Sequence, residues 1–322
     1  SDFSECGFME DFPGLTNSGR SLVLSQNGAV LDSLSYDLSW YHDASKDDGG
    51  YSIERVSLND PCSDGDNWRA SIDPSGATPA AENSVNDPNP DTSVPEILYV
   101  LIESADELRV VFNEGLDALT GELVEAEVGL LQNGNFVALE YNLLNAIWEA
   151  SAPKELYLSF DGGFAPPLIY TLRLQGVADC WGNSAVNIQG NFAVPETAQP
   201  RDLVINELLS NPRATGIDFV EIYNRSPRNI SLQGWQLARE SGGQPESAKI
   251  ITELPLVLLS GDYVYLSTSA AIVKAEYPIA NENKGLDMAS FPSYNNDDGI
   301  VLLIAPDESV MDRLVYNPEM QY

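Results

Sequence analysis

Histidine is almost missing from this chain: His42 is the only one in 322 residues. A serine or cysteine nucleophile needs a base beside it, and imidazole is the usual one. His42 follows Trp40-Tyr41 in a polar stretch with no nucleophile motif around it, which marks a solvated loop residue. Zinc sites need clusters of histidine and cysteine, and none is present. No glycine-rich phosphate loop occurs either. Basic residues are scarce, 16 against 49 acidic ones, for a formal charge of −33. Repulsion of that size argues against nucleic acid and against an anionic membrane surface as partners. With 49 acids some carboxylate pair always looks like a glycosidase site, so that pattern carries no weight. No apolar run reaches the roughly twenty residues that span a bilayer, so membrane insertion is not expected. Cysteine is limited to Cys6, Cys62 and Cys180, enough for one intrachain disulfide. Cys6 and Cys62 flank the same part of the chain and are expected to pair, leaving Cys180 alone; three reduced thiols in an intracellular protein is the alternative.

Short β-branched or alternating runs bounded by Gly, Pro, Asn and Asp dominate what is there. Strands are expected at Ser21–Ser25, Val30–Tyr36, Leu98–Glu103, Leu108–Asn113, Tyr157–Phe160, Tyr170–Gly176, Leu203–Leu208, Phe219–Tyr223, Tyr263–Ser267 and Ile300–Ile304. Helical periodicity is confined to Ser269–Tyr277, with a short turn near Asp117–Thr120. Many short strands separated by turn residues predict an all-β fold of tandem β-sandwiches. Proline-bearing polar stretches at Asn83 to Pro95 and at Pro195–Pro200 divide the chain into 1–88, 89–198 and 199–322, and stiffen the joints.

The chain also repeats itself. Gly19-Arg20-Ser21-Leu22-Val23-Leu24, running on to Leu31–Asp37, is echoed 280 positions later by Gly299–Ile304 running on to Met311–Asn317, with no gap needed. Phe12-Pro13 echoes Phe291-Pro292, slipped by one. A modular array is expected, with the chain opening inside one module and closing inside another, as a segment of something longer.

In the last module, Leu203-Val204-Ile205-Asn206-Glu207-Leu208 precedes Asp218-Phe219-Val220-Glu221-Ile222-Tyr223-Asn224. Ile230–Leu237 follows, a turn into a strand in which Trp235 is a large core anchor. With Leu259–Leu266 and Asp312–Tyr316, this succession resembles the bacterial lamin-tail domain, an immunoglobulin-like sandwich. The first module resembles the later half of the same domain through Asp32–Tyr36, Trp40, Gly49-Gly50-Tyr51-Ser52-Ile53-Glu54-Arg55-Val56, Cys62, Asn67–Ser71, Gly76–Pro79 and Asn83–Val85. It departs from the family in lacking the opening strands, while the last module lacks the closing ones, so each has an open edge. The middle module, through Leu108–Asp117, Tyr170–Leu174 and Gly176–Asn183, resembles the bacterial Ig-like spacer domain of S-layer and surface proteins. Its Asp179 and Asn183 cap a tight turn and Gly182 supplies positive φ.

The resemblance implies a Bacteroidetes-like source, export to the cell surface or beyond, and a non-catalytic structural, spacer or adhesive role, with assembly through sandwich edges. Partners would be other copies or cell-surface proteins and glycans. Accessory modules of a larger secreted hydrolase or nuclease, or a calcium-dependent binding module, are the alternatives. No cofactor is required, and calcium is the one ion whose oxygen ligands the sequence offers. The acidity suits collecting divalent cations, and solubility alone explains it equally well. Asp60, Asp64 and Asp66 lie in a carboxylate-rich loop that lacks EF-hand spacing and whose commoner role is a turn with self-satisfied Asp side chains. Asn295–Gly299 is a hairpin turn before it is a ligand loop. Glu207 and Glu221 are expected to face each other on adjacent strands, where a cation or a hydrogen-bond network would offset their repulsion. Tyr36, Tyr41, Tyr51 and Trp40 gather in the first module, to fill or cover a core rather than to bind.

Overall fold

A computed structural model describes residues 12–43, 45–59, 65–87, 91–281 and 284–321. The described chain is strand-rich and forms two compact units. One comprises Ser1–Val94 with Glu114–Asp117 and Ala178–Asn183; the other comprises Pro95–Asn113, Ala118–Val177 and Ser184–Tyr322.

In the first unit, β1 (Gly19–Gln26) and β2 (Ala29–Asp37) form an antiparallel hairpin. Asn27 and Gly28, both at positive φ, make its two-residue turn, the pairing that matches strand twist. β3 (Ile53–Arg55) and β4 (Trp68–Ala70) form a second ladder. Trp40 is buried and stacks on Trp68 at 5.4 Å between centroids, while the Arg55 guanidinium lies over the Trp68 ring at 5.0 Å. Tyr36 donates to the Thr16 carbonyl and Tyr41 to that of Tyr51, so the first module's aromatics brace its turns.

The second unit holds two sandwiches. The first is built from β5 (Ile97–Ile102), β6 (Glu107–Phe112), α1 (Thr120–Leu123), β7 (Glu125–Gln132), β8 (Asn135–Ala138), β9 (Leu143–Glu149), β10 (Ala152–Phe160), β11 (Ile169–Gln175), β12 (Val177–Ala178), β13 (Ser184–Ala185) and β14 (Ile188–Ala193). Its sheets run β5-β6-β10-β9 and β14-β11-β7-β8. Alternate residues Leu108, Val110 and Phe112 on β6 and Leu156, Leu158 and Phe160 on β10 point between them, fully buried. Phe164, Tyr170 and Phe192 close one end as an aromatic cluster.

The last sandwich comprises β15 (Leu203–Leu209), β16 (Phe219–Asn224), β17 (Ile230–Ser231), β18 (Gln236–Ser241), β19 (Gln244–Ile250), β20 (Val257–Leu258), β21 (Tyr263–Ser267), α2 (Ala270–Glu276), β22 (Gly285–Asp287), β23 (Gly299–Ile304) and β24 (Val310–Tyr316). Sheets β15-β16-β21-β22 and β19-β18-β23-β24 enclose Leu203, Val220, Ile222, Leu237, Leu266, Val301 and Leu303 around Trp235. The expected helix is α2, with Ser269 as its N-cap accepting from the Ile272 N–H. Among the described residues, no helix is long and apolar enough to cross a membrane.

The repeat is real in space, but its alignment needs a correction. Leu24 pairs with Asp32, whereas Leu303 pairs with Asp312. The first strand therefore superposes at an offset of 279 and the second at 280. The two-residue Asn27-Gly28 turn of the first copy is shorter than the Ala305–Ser309 connection of the second, which absorbs the extra residue. Phe12 and Phe291 share the 279 offset, as do Thr16 and Asn295, whose carbonyls accept from Tyr36 and Tyr316.

Candidate functional site

On β15 and β16 the inward residues Ile205, Val220 and Ile222 join the core, so Glu207, Phe219 and Glu221 fall on the outer face of the sheet. Glu207 and Glu221 are direct cross-strand partners, as their motifs suggested, and Glu221 is in turn opposite Tyr265 on β21. Asn206 Nδ2 donates to Glu221 Oε1 at 2.7 Å, a hydrogen-bond partner of the kind the pair was expected to need. The Glu207 carboxyl is pushed above the usual range, by burial first and by the Glu221 charge second.

α2 packs over the same outer face through Val273, against Phe219 and Tyr265. Beside it opens a pocket of about 450 Å³ lined by Glu207, Glu221, Tyr263, Tyr265, Tyr277 and Lys284. Lys284 is ion-paired with Asp262 at the rim, and Tyr223 stacks on Tyr263 at 4.4 Å. Tyrosine faces beside carboxylates suit a polar ligand with an apolar body, such as a sugar ring or an organic cation.

The other expected ligands fall elsewhere. Asp60 and Asp64 lie outside the described residues, and so does the side chain of Asp66. Cys6 and Cys62 are outside them too, but Cys180 is disulfide-bonded. The expectation of a lone Cys180 is thereby corrected: proximity along the chain was the only basis for leaving it out, and folding brings the Ala178–Asn183 loop into the first unit. His42 is exposed at a left-handed turn, with Nε2 3.2 Å from the Gly65 carbonyl.

Two features escaped the sequence reading. Asp91, Glu114 and Asp179 bring carboxylate oxygens within 4.8 Å of one another. Asp179 is fully buried and accepts from the Asn183 N–H at 2.8 Å and from Asn183 Nδ2 at 2.7 Å, the turn capping expected of that motif. The Asp91 carboxyl lies below its ordinary value: burial raises it, and the Ser93 N–H and hydroxyl outweigh that.

The second feature is Glu54, a buried acid in the first unit. Thr78 Oγ1 donates to Oε1 at 2.7 Å, and Ser84 donates to Oε2 through both N and Oγ at 2.7 Å. Ser52 Oγ adds a longer bond at 3.2 Å. Burial would raise this acid, but the hydroxyls of Ser84, Thr78 and Ser71 and the Ser84 N–H outweigh it and hold the carboxyl at about 2. Gly76, at φ +87, lets its turn approach: a Cβ there would lie 2.0 Å from the Gly50 carbonyl oxygen. The Gly-Gly-Tyr-Ser, Gly-Ala-Thr-Pro and Asn-Ser motifs of the closing series thus supply the parts of one polar cluster.

Fold and topology define immunoglobulin-like β-sandwich modules. Residues 196–318, the last sandwich, match the family model described as Lamin Tail Domain. Among curated proteins no match is found. Of solved structures, the N-terminal part of the bacterial S-layer protein SbsC is similar at 10% identity, over 70% of this chain and 44% of that one, with a TM-score of 0.27. Domains 1–6 of the same surface layer protein give 13% identity, 54% and 23% coverage, and a TM-score of 0.28. A DUF4876 family protein from Bacteroides thetaiotaomicron gives 16% identity, 60% and 63% coverage, and 0.25. The chain spans less than two thirds of the length of each of these.

Proposed function

We propose that this chain is a non-catalytic protein of the outer cell surface, with a structural, spacer or adhesive role. The observation that carries this reading is the close packing of the lamin-tail sandwich on its neighbour. Ile97–Val100 and Phe192 of one sandwich face Leu256–Leu259, Tyr263 and Leu286 of the other across a narrow crevice. Asn229 Nδ2 reaches the Pro167 carbonyl at 3.3 Å, and the Glu196 N–H donates to the Asn229 carbonyl at 2.7 Å. Sandwiches held in this way make a stiff element suited to display at a distance. An excess of 49 acids over 16 bases keeps such a surface hydrated.

Labelling intact source cells with a membrane-impermeant biotin reagent tests the placement. Labelling before lysis is the expected result, and labelling only after lysis defeats it. A binding module is the second reading, favoured by the tyrosine–carboxylate pocket. Glycan-array screening with and without chelator addresses it, and no binding in either condition removes it. Partners under either reading are other copies, surface proteins or glycans.

A further inference from the structure

The outer face of β15, β16 and β21 carries a row of three matched residues. Glu207 lies opposite Glu221, and Glu221 lies opposite Tyr265. Neighbouring strands are about 4.8 Å apart, so the two carboxylates share one small space. An opposite charge is what removes the repulsion between them. Among the described residues, neither glutamate is in an ion pair. Lys284, the cation that lines the pocket, is paired with Asp262. Lys274, on α2, donates to the carbonyls of Pro278 and Ala280. Asn206 Nδ2 reaches Glu221 Oε1, but an amide brings no net charge. The residues outside the described ones contain neither lysine nor arginine, so no side chain there supplies the charge.

A second observation, independent of the charges, is the size and lining of the space beside the pair. At about 450 Å³ it lies within the range of organic-ligand sites and far exceeds a bare ion. Two glutamates are also short of the roughly six to eight oxygens that calcium takes. Phe219, Tyr265 and Tyr277 wall the pocket, with Phe219 and Tyr277 edge to face at 6.0 Å. Ile279, 98% exposed, stands at its mouth. A sugar finds aromatic faces here, but a neutral ring leaves two negative charges facing each other. An ammonium cancels them, and the same rings attract both its charge and its methylene groups.

We infer that this pocket takes a primary alkylammonium. Its N–H groups donate to both Glu207 and Glu221, and its aliphatic stem lies along Phe219, Tyr265 and Tyr277 toward Ile279. A free amine carries such a group, and so does a lysine side chain. The inference rests on the binding-module reading and names the ligand of that site. The two fail separately: capture of neutral glycans without amine binding sinks the inference and leaves the binding-module reading standing.

The test titrates the intact chain with n-pentylamine hydrochloride and follows amide chemical shifts. Sodium chloride at about 0.15 M screens the general attraction of cations to so acidic a surface. Pentan-1-ol, which has no charge, and tetramethylammonium chloride, which has no N–H, are the controls. A parallel arm uses Nα-acetyl-lysine methylamide; the tighter of the two amines says whether the source is free or protein-borne, and the inference stands in either case. Expected are saturable shifts confined to β15, β16, β21 and the segment from α2 to β22, with both controls weaker by about tenfold or more. Glu207→Gln and Glu221→Gln should each weaken the amine about tenfold or more, the size of one charge-assisted hydrogen bond. Shifts spread over the whole acidic surface overturn the inference, as do equal binding by either control, unaltered affinity in both variants, or no saturable change at all. Displacement of the amine by a lower concentration of calcium chloride overturns it too, because the pair is then a metal site.

Discussion

Four donors converge on the Glu54 carboxylate, and none of them carries a charge. Glu54→Gln keeps the shape but turns an acceptor-only group into one with an N–H₂ that faces hydroxyl donors. A loss of about 2 kcal/mol in the first unit is expected, read by urea unfolding with hydrogen exchange as a site-resolved probe. The pH dependence has a definite sign. The folded carboxyl stands at about 2 against an ordinary 4.5, so its contribution is complete above pH 4.5 and lost as pH falls toward 2. Over that window the unit should lose on the order of 3 kcal/mol, and the glutamine variant should show a flatter profile. Glu207 has the opposite sign. Its raised carboxyl penalises the ionised form, so the fold gains as pH falls and the group takes up its proton. Glu207→Gln should therefore raise thermal stability at neutral pH, by the ~0.2–1 kcal/mol of a like-charge cross-strand pair, with the gap closing in acid. If calcium bridges the two glutamates instead, added calcium stabilises the parent chain and not the variant, and differential scanning fluorimetry separates these outcomes.

At the scale of elements, Trp235 is the anchor on which both sheets of the lamin tail domain close. Trp235→Ala should cost ~3–5 kcal/mol and unfold this sandwich at lower urea, as followed by its remaining tyrosine fluorescence. Strands with one face in the core were legible from alternation: the ten expected strands all fall on observed ones, nine to within a residue or two, while β10 begins at Ala152, five residues before the expected Tyr157. Two of the strands that were missed share a physical cause. β19, Gln244–Ile250, lies on the sheet edge and is largely solvated, so it lacks an apolar phase. β9 is another edge strand with most residues exposed, and β14 carries Gly190, where a Cβ would meet the Val100 Cγ2 at 2.6 Å. Close approach there selects for a residue that strand propensity disfavours. The Glu207–Glu221 pairing was legible because both sat at matching phases of two strong strands. The Glu54 cluster was not, although each of its motifs stands in the sequence. Its donors lie up to 30 positions away in loops, and only the fold says that they meet.

For the whole molecule, a charge of −33 compresses against itself on folding. Raising the ionic strength from about 0.01 to 0.15 M shortens the screening length from ~30 to ~8 Å. The melting temperature should rise with that change, and a fall in scanning calorimetry would contradict the self-repulsion argument. The disulfide gives another global test. Intact mass after alkylation without reductant should show one labelled cysteine, and peptide mapping should find Cys180 among the linked ones. The joint between the lamin tail domain and its neighbour has a consequence for Brownian motion. Two beads on a flexible string relax as independent, nearly spherical tumblers, each forgetting its heading quickly. Joined at the Ile97–Val100 and Leu256–Leu259 crevice, they must reorient as one body. Nitrogen-15 relaxation would then report one shared rotational correlation time for both, longer than either sandwich would show alone.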